Sequence, residues 1–301
     1  MNHKPVHIDS IAEYNDILDI ETLHPLVTVI DLSNIHPLRH QRHSFGFYAV
    51  FLKEAKCGDL MYGRQTYDYQ EGTVVCMAPG QVIGVADNGE TYQPKGWALC
   101  FHPDLIHGTS LAAHIKEYSF FSYEVNEALH LSLKEREIFV DCLQKISHEL
   151  NHAIDRMSRR LIATNIELLL DYCLRFYERQ FITREHVNTD ILTRFENILT
   201  DYFESGQARK DGLPTVKGCA SRLCLSPNYF GDLIKKETGK TAQEHIQLAL
   251  INTAKNLVLR SDHTIAQVSY ELGFQYPQHF TRLFKKIVGI TPNEYREKMA
   301  V

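Results

Sequence analysis

The sequence of 301 residues has no long uninterrupted apolar run, so it predicts no membrane-spanning helix. Its opening stretch, MNHKPVHIDSIAEYND, lacks the apolar core of a signal peptide. The cysteines number seven and are scattered from Cys57 to Cys224, which is not the pattern of a disulfide framework. Together these absences predict a cytoplasmic protein with no membrane partner.

The charge is divided unevenly along the chain. Hydrophobic residues make up 44% and charged residues 23%, a balance typical of a globular protein, and the net charge is −5. Residues 1–190 carry 17 Lys and Arg against 26 Asp and Glu, whereas residues 191–301 carry 15 against 11. This asymmetry indicates an acidic domain joined to one that can approach phosphates, although ordinary surface variation could also produce it.

The first 125 residues read as a β-rich domain. Short runs of β-branched and aromatic residues begin at Val27, Phe45, Thr73, Trp97 and Tyr118, and turn signals such as QEG, APGQ and DNGE separate them. Short strands with regular turns favour a sandwich or a barrel over a parallel sheet.

Residues 126–180 form a predicted helical connector. Ser132 and Glu135 have the spacing of a capping box and precede two amphipathic helical patterns. These helices could cap the β core or form a dimer seam, and the sequence leaves both open. The stretch Phe181–Thr189 is predicted as a linker to an all-helical domain at 190–301.

Two similar segments lie fifty positions apart in that domain. NYFGDLIKKETGKT (Asn228–Thr241) and QHFTRLFKKIVGIT (Gln278–Thr291) share six of fourteen positions. Each follows a short predicted helix, and Pro227 or Pro277 opens the amphipathic helix. The pattern of helix, tight turn and helix, present twice, predicts two helix-turn-helix motifs.

The outward positions of both segments have side chains suited to DNA. Amides such as Asn228 and Gln278 can pair with adenine and Arg282 with guanine, because an α-helix fits the major groove. Lysines suit phosphates, which position the protein without specifying sequence. The candidate DNA-binding residues are Asn228, Tyr229, Gly231, Asp232, Lys235, Lys236, Gln278, His279, Thr281, Arg282, Lys285 and Lys286. A lysine pair can also simply offset a helix dipole, but two copies in the basic part of the chain favour DNA binding.

The segment between the copies predicts a spacer helix from about Ala242 to Arg260. At ~1.5 Å per residue it would span roughly 28 Å. Two DNA-contacting helices held that far apart would have a separation close to the ~34 Å repeat of the DNA major groove. One chain could therefore read two successive grooves.

The last third of the chain, from about Asp190, resembles the DNA-binding domain of the AraC/XylS family of bacterial transcription regulators. The resemblance lies in LSPNYFGDLIKKETGKT, AKNLVLRSDHTIAQVSYELGF and YPQHFTRLFKKIVGITPNEYR. Ser269 stands where the family usually has alanine, and Asp232 stands at a position that often faces DNA in relatives. The resemblance implies a sequence-specific transcription regulator, double-stranded DNA as partner and RNA polymerase as a further partner.

The resemblance also implies an N-terminal cupin-like β-barrel that senses a small-molecule effector or forms a homodimer, and the stretch Asp68–Gln81 is similar to a cupin strand–turn–strand. The predicted fold class is therefore α+β multidomain: a cupin-like barrel with a helical segment, followed by an all-α domain with two helix-turn-helix motifs. A DNA-binding architectural protein without a sensor is one alternative.

An enzyme fused to a DNA-binding module is the other alternative. A cupin metal site needs near-adjacent histidines and a carboxylate, and the predicted strands contain no His-x-His pair. We therefore interpret His40, His43, His102 and His107 as surface histidines or hydrogen-bonded core histidines rather than as metal ligands. We therefore predict no cofactor, no metal and no enzymatic activity.

Overall fold

The computed structural model describes residues 5–54, 72–84, 89–124, 127–152, 155, 157–183, 185–260 and 263–299. The chain divides into two compact units, residues 1–183 and 184–301. The predicted connector, residues 126–180, therefore belongs to the same unit as the strands. In the described ranges, no helix combines the length and apolar character needed to cross a bilayer.

The first unit is built on sheets. Its strands are β1 Val6–Ile8, β2 Val27–Asp31, β3 Leu38–Arg39, β4 His43–Phe45, β5 Tyr48–Lys53, β6 Thr73–Met77, β7 Val82–Ile83, β8 Thr91–Tyr92, β9 Gly96–Phe101 and β10 Leu129–His130. Its helices are α1 Ile11–Ile17, α2 Pro103–Ile106, α3 Ser110–His114, α4 Leu133–Leu150 and α5 Ser158–Thr183.

The largest sheet has five strands in the order β10-β6-β5-β9-β2, and all of its pairs are antiparallel. Strands β1, β4 and β7 form a second sheet, and β3 and β8 a third. The α+β class is confirmed, but the described strands form three separate sheets and do not close into the predicted cupin-like barrel. Residues 68–71 of the cupin-like stretch lie outside the described residues.

Both faces of the large sheet are covered. One face, with Ala49, Phe51 and Ala98, packs into a cluster with the side chains of β1, α1 and β4. On the other side of the sheet, α4 contacts β2, α5 contacts β10, and the free Cys173 and Cys76 thiols are hydrogen-bonded to each other. The two helices therefore cap the β core, which is the first of the two alternatives that the sequence left open.

Helix α4 begins with the predicted capping box. The Ser132 amide donates to Glu135 Oε2 at 2.8 Å, and the Glu135 amide donates to Ser132 Oγ at 3.4 Å. Arg179 of α5 forks onto both oxygens of Glu135, at 3.0 and 2.7 Å. Burial alone would raise the pKa of Glu135, but the hydrogen bonds from Ser132 and Arg179 outweigh it and lower the pKa below its ordinary value. The start of α4 is thereby tied to the far half of α5.

One local prediction is wrong. The stretch from Tyr118 was predicted as a strand, but Ser119–Ser122 forms a 3₁₀ turn in which the Ser122 hydroxyl donates to the Ser119 carbonyl. The predicted linker Phe181–Thr189 contains the boundary between the two units, which falls after residue 183. The chain is helical on both sides of residue 184, because α5 runs to Thr183 and the next helix starts at Glu185. This linker contains no glycine or proline that would stop a helix.

In the second unit, every secondary-structure element of the described residues is a helix. Its helices are α6 Glu185–Glu204, α7 Gln207–Asp211, α8 Val216–Arg222, α9 Pro227–Thr238, α10 Ala242–Val258, α11 Ile265–Glu271, α12 Pro277–Val288 and α13 Pro292–Met299. Helix α10 is two residues shorter than predicted and contacts α8, α9, α11, α12 and α13. It is therefore the element on which both helix-turn-helix motifs are built.

Candidate nucleic-acid interface

The first motif consists of α8, a tight turn and α9. The Thr215 hydroxyl accepts from the Gly218 amide at 3.0 Å and caps α8. The turn passes through Cys224 in the left-handed conformation, with φ +58°, and Ser226 caps α9 by accepting from the Tyr229 amide at 3.2 Å. Helix α9 ends at Gly239, φ +72°. The local signals in the sequence therefore place both ends of the first amphipathic helix.

The second motif, α11 and α12, repeats this plan with different turn chemistry. Thr264 and Gln267 form a capping box at the start of α11. Its turn passes through Gly273, φ +90°, where the first motif has Cys224. Helix α12 opens at Pro277 after Tyr276, which provides no side-chain cap, and ends at Gly289. The two motifs thus share their fold but not their turn residues.

Aromatic residues of α6 join the cores of both motifs. Phe195 meets Phe230 of the first motif edge to face, with ring centroids 4.9 Å apart. Tyr202 and Phe203 pack into the second core with Phe280 and other side chains of α10, α11 and α12. Helices α6 and α10 therefore both contribute to the support of the two motifs.

Arg296 of α13 holds the junction between α10 and α11. Its guanidinium donates to the carbonyl of Val258 at 2.6 Å and to that of His263 at 2.7 Å. The Val258 carbonyl belongs to the last turn of α10, where backbone acceptors lack partners within the helix. The closing GITPNEYR stretch thus fixes the point where the spacer helix meets the second motif.

The predicted DNA-facing side chains lie mostly on the outside of α9 and α12. Eight of the twelve are exposed: Asn228, Lys235, Lys236, Gln278, His279, Arg282, Lys285 and Lys286. Gly231, Asp232 and Thr281 are partly exposed. The inner faces carry Phe230, Leu233 and Ile234 in α9 and Phe280 and Phe284 in α12, all fully buried. Each helix therefore has an apolar inner face and a polar outer face.

Tyr229 is the exception among the predicted residues. Its side chain is only 4% exposed and lies in the interior with Phe230 and Leu233. The helical period explains this position, because Tyr229 precedes Leu233 by four residues and so shares its face. We leave Tyr229 out of the DNA-facing set.

Two exposed residues just before α12 were not predicted. Gln275 and Tyr276 stand on the surface, and the Tyr276 side chain is 56% exposed. The Tyr276 ring contacts that of His279 edge to face, with centroids 5.6 Å apart. The sequence could have indicated these two residues, because they lie immediately before Pro277, which opens the helix. The start of α12 therefore presents a cluster of aromatic and polar groups.

The candidate metal-binding histidines do not converge. His102 caps α2 by accepting from the Asp104 amide at 3.2 Å, and His107 follows the same helix. His40 stacks on Tyr92 with ring centroids 4.7 Å apart. Within the part of the chain that the structure describes, no group of three or more His, Cys, Asp or Glu side chains could hold a metal ion.

A cavity of about 320 Å³ opens beside His40 and His43 in the first unit. Its apolar wall includes Leu18, Leu32, Leu38, Phe45 and Phe51, and its polar lining includes Tyr14, His36, Arg39, His40, Gln41, His43, Lys53, Tyr92 and Lys95. Burial lowers the pKa of His43 below its ordinary value, which favours the neutral ring. No carboxylate is present among these lining residues, so the cavity combines apolar walls with basic groups.

A helix-turn-helix domain model matches residues 219–298. Over 78 residues, 25% of this chain, the sequence is 35% identical to the uncharacterized transcriptional regulatory protein YesN of Bacillus subtilis, covering 21% of that protein. It is 21% identical over 255 residues to the uncharacterized HTH-type transcriptional regulator YfiF of Bacillus subtilis, covering 84% of this chain and 78% of YfiF. A match at 26% identity to the transcriptional activator RhaS of Salmonella paratyphi A covers 49% of this chain and 51% of RhaS.

The chain spans between 15% and 35% of the length of the first three curated relatives that it matches. Among solved structures, ToxT from Vibrio cholerae matches with 11% identity and a TM-score of 0.29, covering 90% of this chain and 97% of ToxT. The predicted helix-turn-helix domain of the AraC type is confirmed. The relatives named here are described as regulators of transcription, in agreement with the prediction of a regulator rather than an enzyme.

Proposed function

Because residues 219–298 form an AraC-type helix-turn-helix domain, we propose that this protein is a sequence-specific transcription regulator that reads two successive major grooves. The observation that carries the proposal is the exposed polar outer face on both α9 and α12. The inner face of α9 packs on α6 and α10, and the inner face of α12 packs with side chains of the same two helices. An α-helix presented in this way fits the major groove of B-DNA.

The side chains divide into two roles. Asn228 and Gln278 have amides that can pair with adenine, and Arg282 has a guanidinium that can pair with O6 and N7 of guanine. The four lysines near the ends of the two helices, Lys235, Lys236, Lys285 and Lys286, are placed for phosphates. Base contacts then choose the operator, and phosphate contacts set the protein's register on it.

The test compares two variants on one duplex, chosen by selection from random-sequence DNA with the full chain. Arg282→Ala should weaken binding by ~1–3 kcal/mol and relax the preference at one base pair. Lys286→Ala should weaken binding to all sequences alike and lower the salt dependence by about one counterion. If Arg282→Ala leaves both affinity and base preference intact, its role in base reading is wrong.

We propose further that the cavity in the first unit binds a small effector. Its apolar walls, its basic groups and the absence of carboxylates among the lining residues that the structure describes favour an apolar molecule with one negatively charged end. A thermal-shift screen of apolar carboxylates against their uncharged amides tests this. Stabilisation by the acids alone is expected, and Arg39→Ala should reduce it. Equal shifts with the amides would contradict the proposed role of charge.

The outer face of α5 supports a homodimer. Leu161 and Leu168 are exposed one heptad apart, with Asn165 between them and Tyr172 after them. This alternation of four and three residues is the spacing of a coiled-coil seam, where a polar Asn can set register. RNA polymerase as a further partner stays a prediction.

Sedimentation of the full chain tests the dimer. Leu168→Glu should convert a dimer to a monomer at micromolar concentration. Leu174→Glu is the matched control, because Leu174 is similarly exposed on α5 but lies off this stripe. A wild-type protein that sediments as a monomer, or equal effects of the two variants, would contradict the seam.

A further inference from the structure

Gly231 is the feature of the first motif that the fold does not explain. It is the fifth of the 12 residues of α9, well inside the helix, where glycine is the least favourable residue after proline. A Cβ built at Gly231 would have no heavy atom within 4 Å apart from its own helix backbone and chain neighbours. The backbone there does not have a positive φ. Nothing within the described chain therefore requires a glycine at this position.

The missing side chain leaves a notch on the outer face of α9. Asn228 lies one turn before Gly231 and Lys235 one turn after it, and both are exposed. In the second motif the equivalent position is filled by Thr281, whose hydroxyl donates to the Pro277 carbonyl at 3.1 Å. The notch therefore belongs to the first motif alone, and it exposes helix backbone where the DNA would lie.

Asp232 adjoins this notch and is also partly exposed. A carboxylate is repelled by phosphate, so an acidic side chain on a DNA-facing helix is suited to base edges rather than to the DNA backbone. In the major groove, carboxylates accept hydrogen bonds from exocyclic amino groups, which cytosine and adenine present. Its counterpart in the second motif is Arg282, which has the opposite charge and suits guanine.

Resting on the proposed function, we propose that Gly231 lets α9 approach the base edges closely enough for Asp232 to accept from an exocyclic amino group. The half-site read by α9 then presents cytosine or adenine at this step, whereas the half-site read by α12 presents guanine. The two motifs thereby read different sequences, and the operator has a direction.

The experiment uses the full chain and the duplex that it selects from random-sequence DNA. Gly231→Ala should raise the midpoint of unfolding, because alanine favours the helix and meets no obstacle, yet weaken binding to that duplex about tenfold. Thr200→Ala is the control: Thr200 is an exposed residue of α6 outside the proposed interface, so its variant should keep wild-type affinity. Asp232→Asn should change the preferred base at one position of the α9 half-site only.

Three results would overturn this inference. They are wild-type affinity of Gly231→Ala, a lower unfolding midpoint of that variant, and an unchanged base preference of Asp232→Asn. If the wild-type chain selects no duplex at all, the proposed function itself fails, and this inference fails with it. If a duplex is selected and only the Gly231 and Asp232 variants behave like wild type, the proposed function stands and the close approach of α9 does not.

Discussion

Replacing Gly273 by alanine should destabilise the second unit strongly. A Cβ at this position would lie 2.6 Å from the Ala208 carbonyl oxygen and 2.8 Å from the Gly212 carbonyl carbon. Both are backbone atoms, and the Gly212 segment is held by the Tyr202 hydroxyl, which donates to the Gly212 carbonyl at 3.0 Å. Neither neighbour can turn aside as a flexible side chain would.

The magnitude has two parts. A non-glycine residue in the left-handed region costs ~1–2 kcal/mol. Overpacking a filled site costs a further ~1–3 kcal/mol. The sum for Gly273→Ala is therefore about 2–5 kcal/mol, a large fraction of the ~5–15 kcal/mol that stabilises a typical domain.

Cys224 supplies the matched control, because it occupies the same turn position in the first motif. It already carries a Cβ at φ +58° and its side chain is exposed. Cys224→Ala should therefore change the free energy of unfolding by less than about 0.5 kcal/mol, as is usual for surface positions.

The assay follows two signals in urea on the full chain. Far-UV circular dichroism reports the helices, whereas fluorescence reports the only tryptophan, Trp97 in strand β9 of the first unit. We expect Gly273→Ala to move the transition of the second unit to lower urea and to leave the Trp97 transition in place. Equal stability of the two alanine variants would refute the steric reasoning.

Three further predictions concern the second unit. Ser269→Ala should stabilise the second unit by ~1 kcal/mol, because the fully buried Ser269 hydroxyl is among the described polar atoms without a hydrogen-bond partner. Urea unfolding measures this change, and a loss of stability would contradict the prediction. Hydrogen bonds from the Thr241 and Thr291 amides lower the pKa of Glu244 and Glu294, so the stability that the two capping carboxylates contribute is complete above pH 4.5 and is lost as the pH falls through their lowered pKa values. Glu-to-Gln substitution at both positions should flatten this loss of stability in acid. An unchanged dependence of stability on pH would contradict the prediction. Arg296→Lys should cost ~1–3 kcal/mol, because the lysine ammonium lacks the planar guanidinium fork that reaches both carbonyls. Wild-type stability in the same urea assay would show that the fork is dispensable.

The helical unit was largely predictable from the sequence because its signals are local. The caps at Thr241, Thr264 and Thr291, and the glycines at 239 and 289, act within a few residues of their own position. The exposed outer faces of α9 and α12 follow from a 3.6-residue period. Tyr229 was predicted on the outer face, but it precedes Leu233 by four residues, so the same period places it on the inner face.

The first unit was less predictable because sheets depend on distant partners. The sequence located β2, β6 and β9 closely, but strand pairing joins segments far apart in the chain. Local composition does not encode whether such a sheet closes into a barrel. At Tyr118, an aromatic run typical of a strand is held as a turn instead, and the Tyr118 hydroxyl donates to Asp171 of α5 at 2.7 Å. A contact across 53 positions overrides local preference there.

The length of α10 has a consequence for the duplex itself. Its 17 residues span about 26 Å, whereas successive major-groove faces on straight DNA are ~34 Å apart. If the length of α10 sets the spacing at which α9 and α12 enter neighbouring grooves, that spacing is shorter than the repeat of straight DNA. We then expect the duplex to bend toward the protein. Such curvature costs about 1–6 kcal/mol, depending on how easily the central base steps kink. Base steps that no side chain contacts would then help to determine where this protein binds DNA.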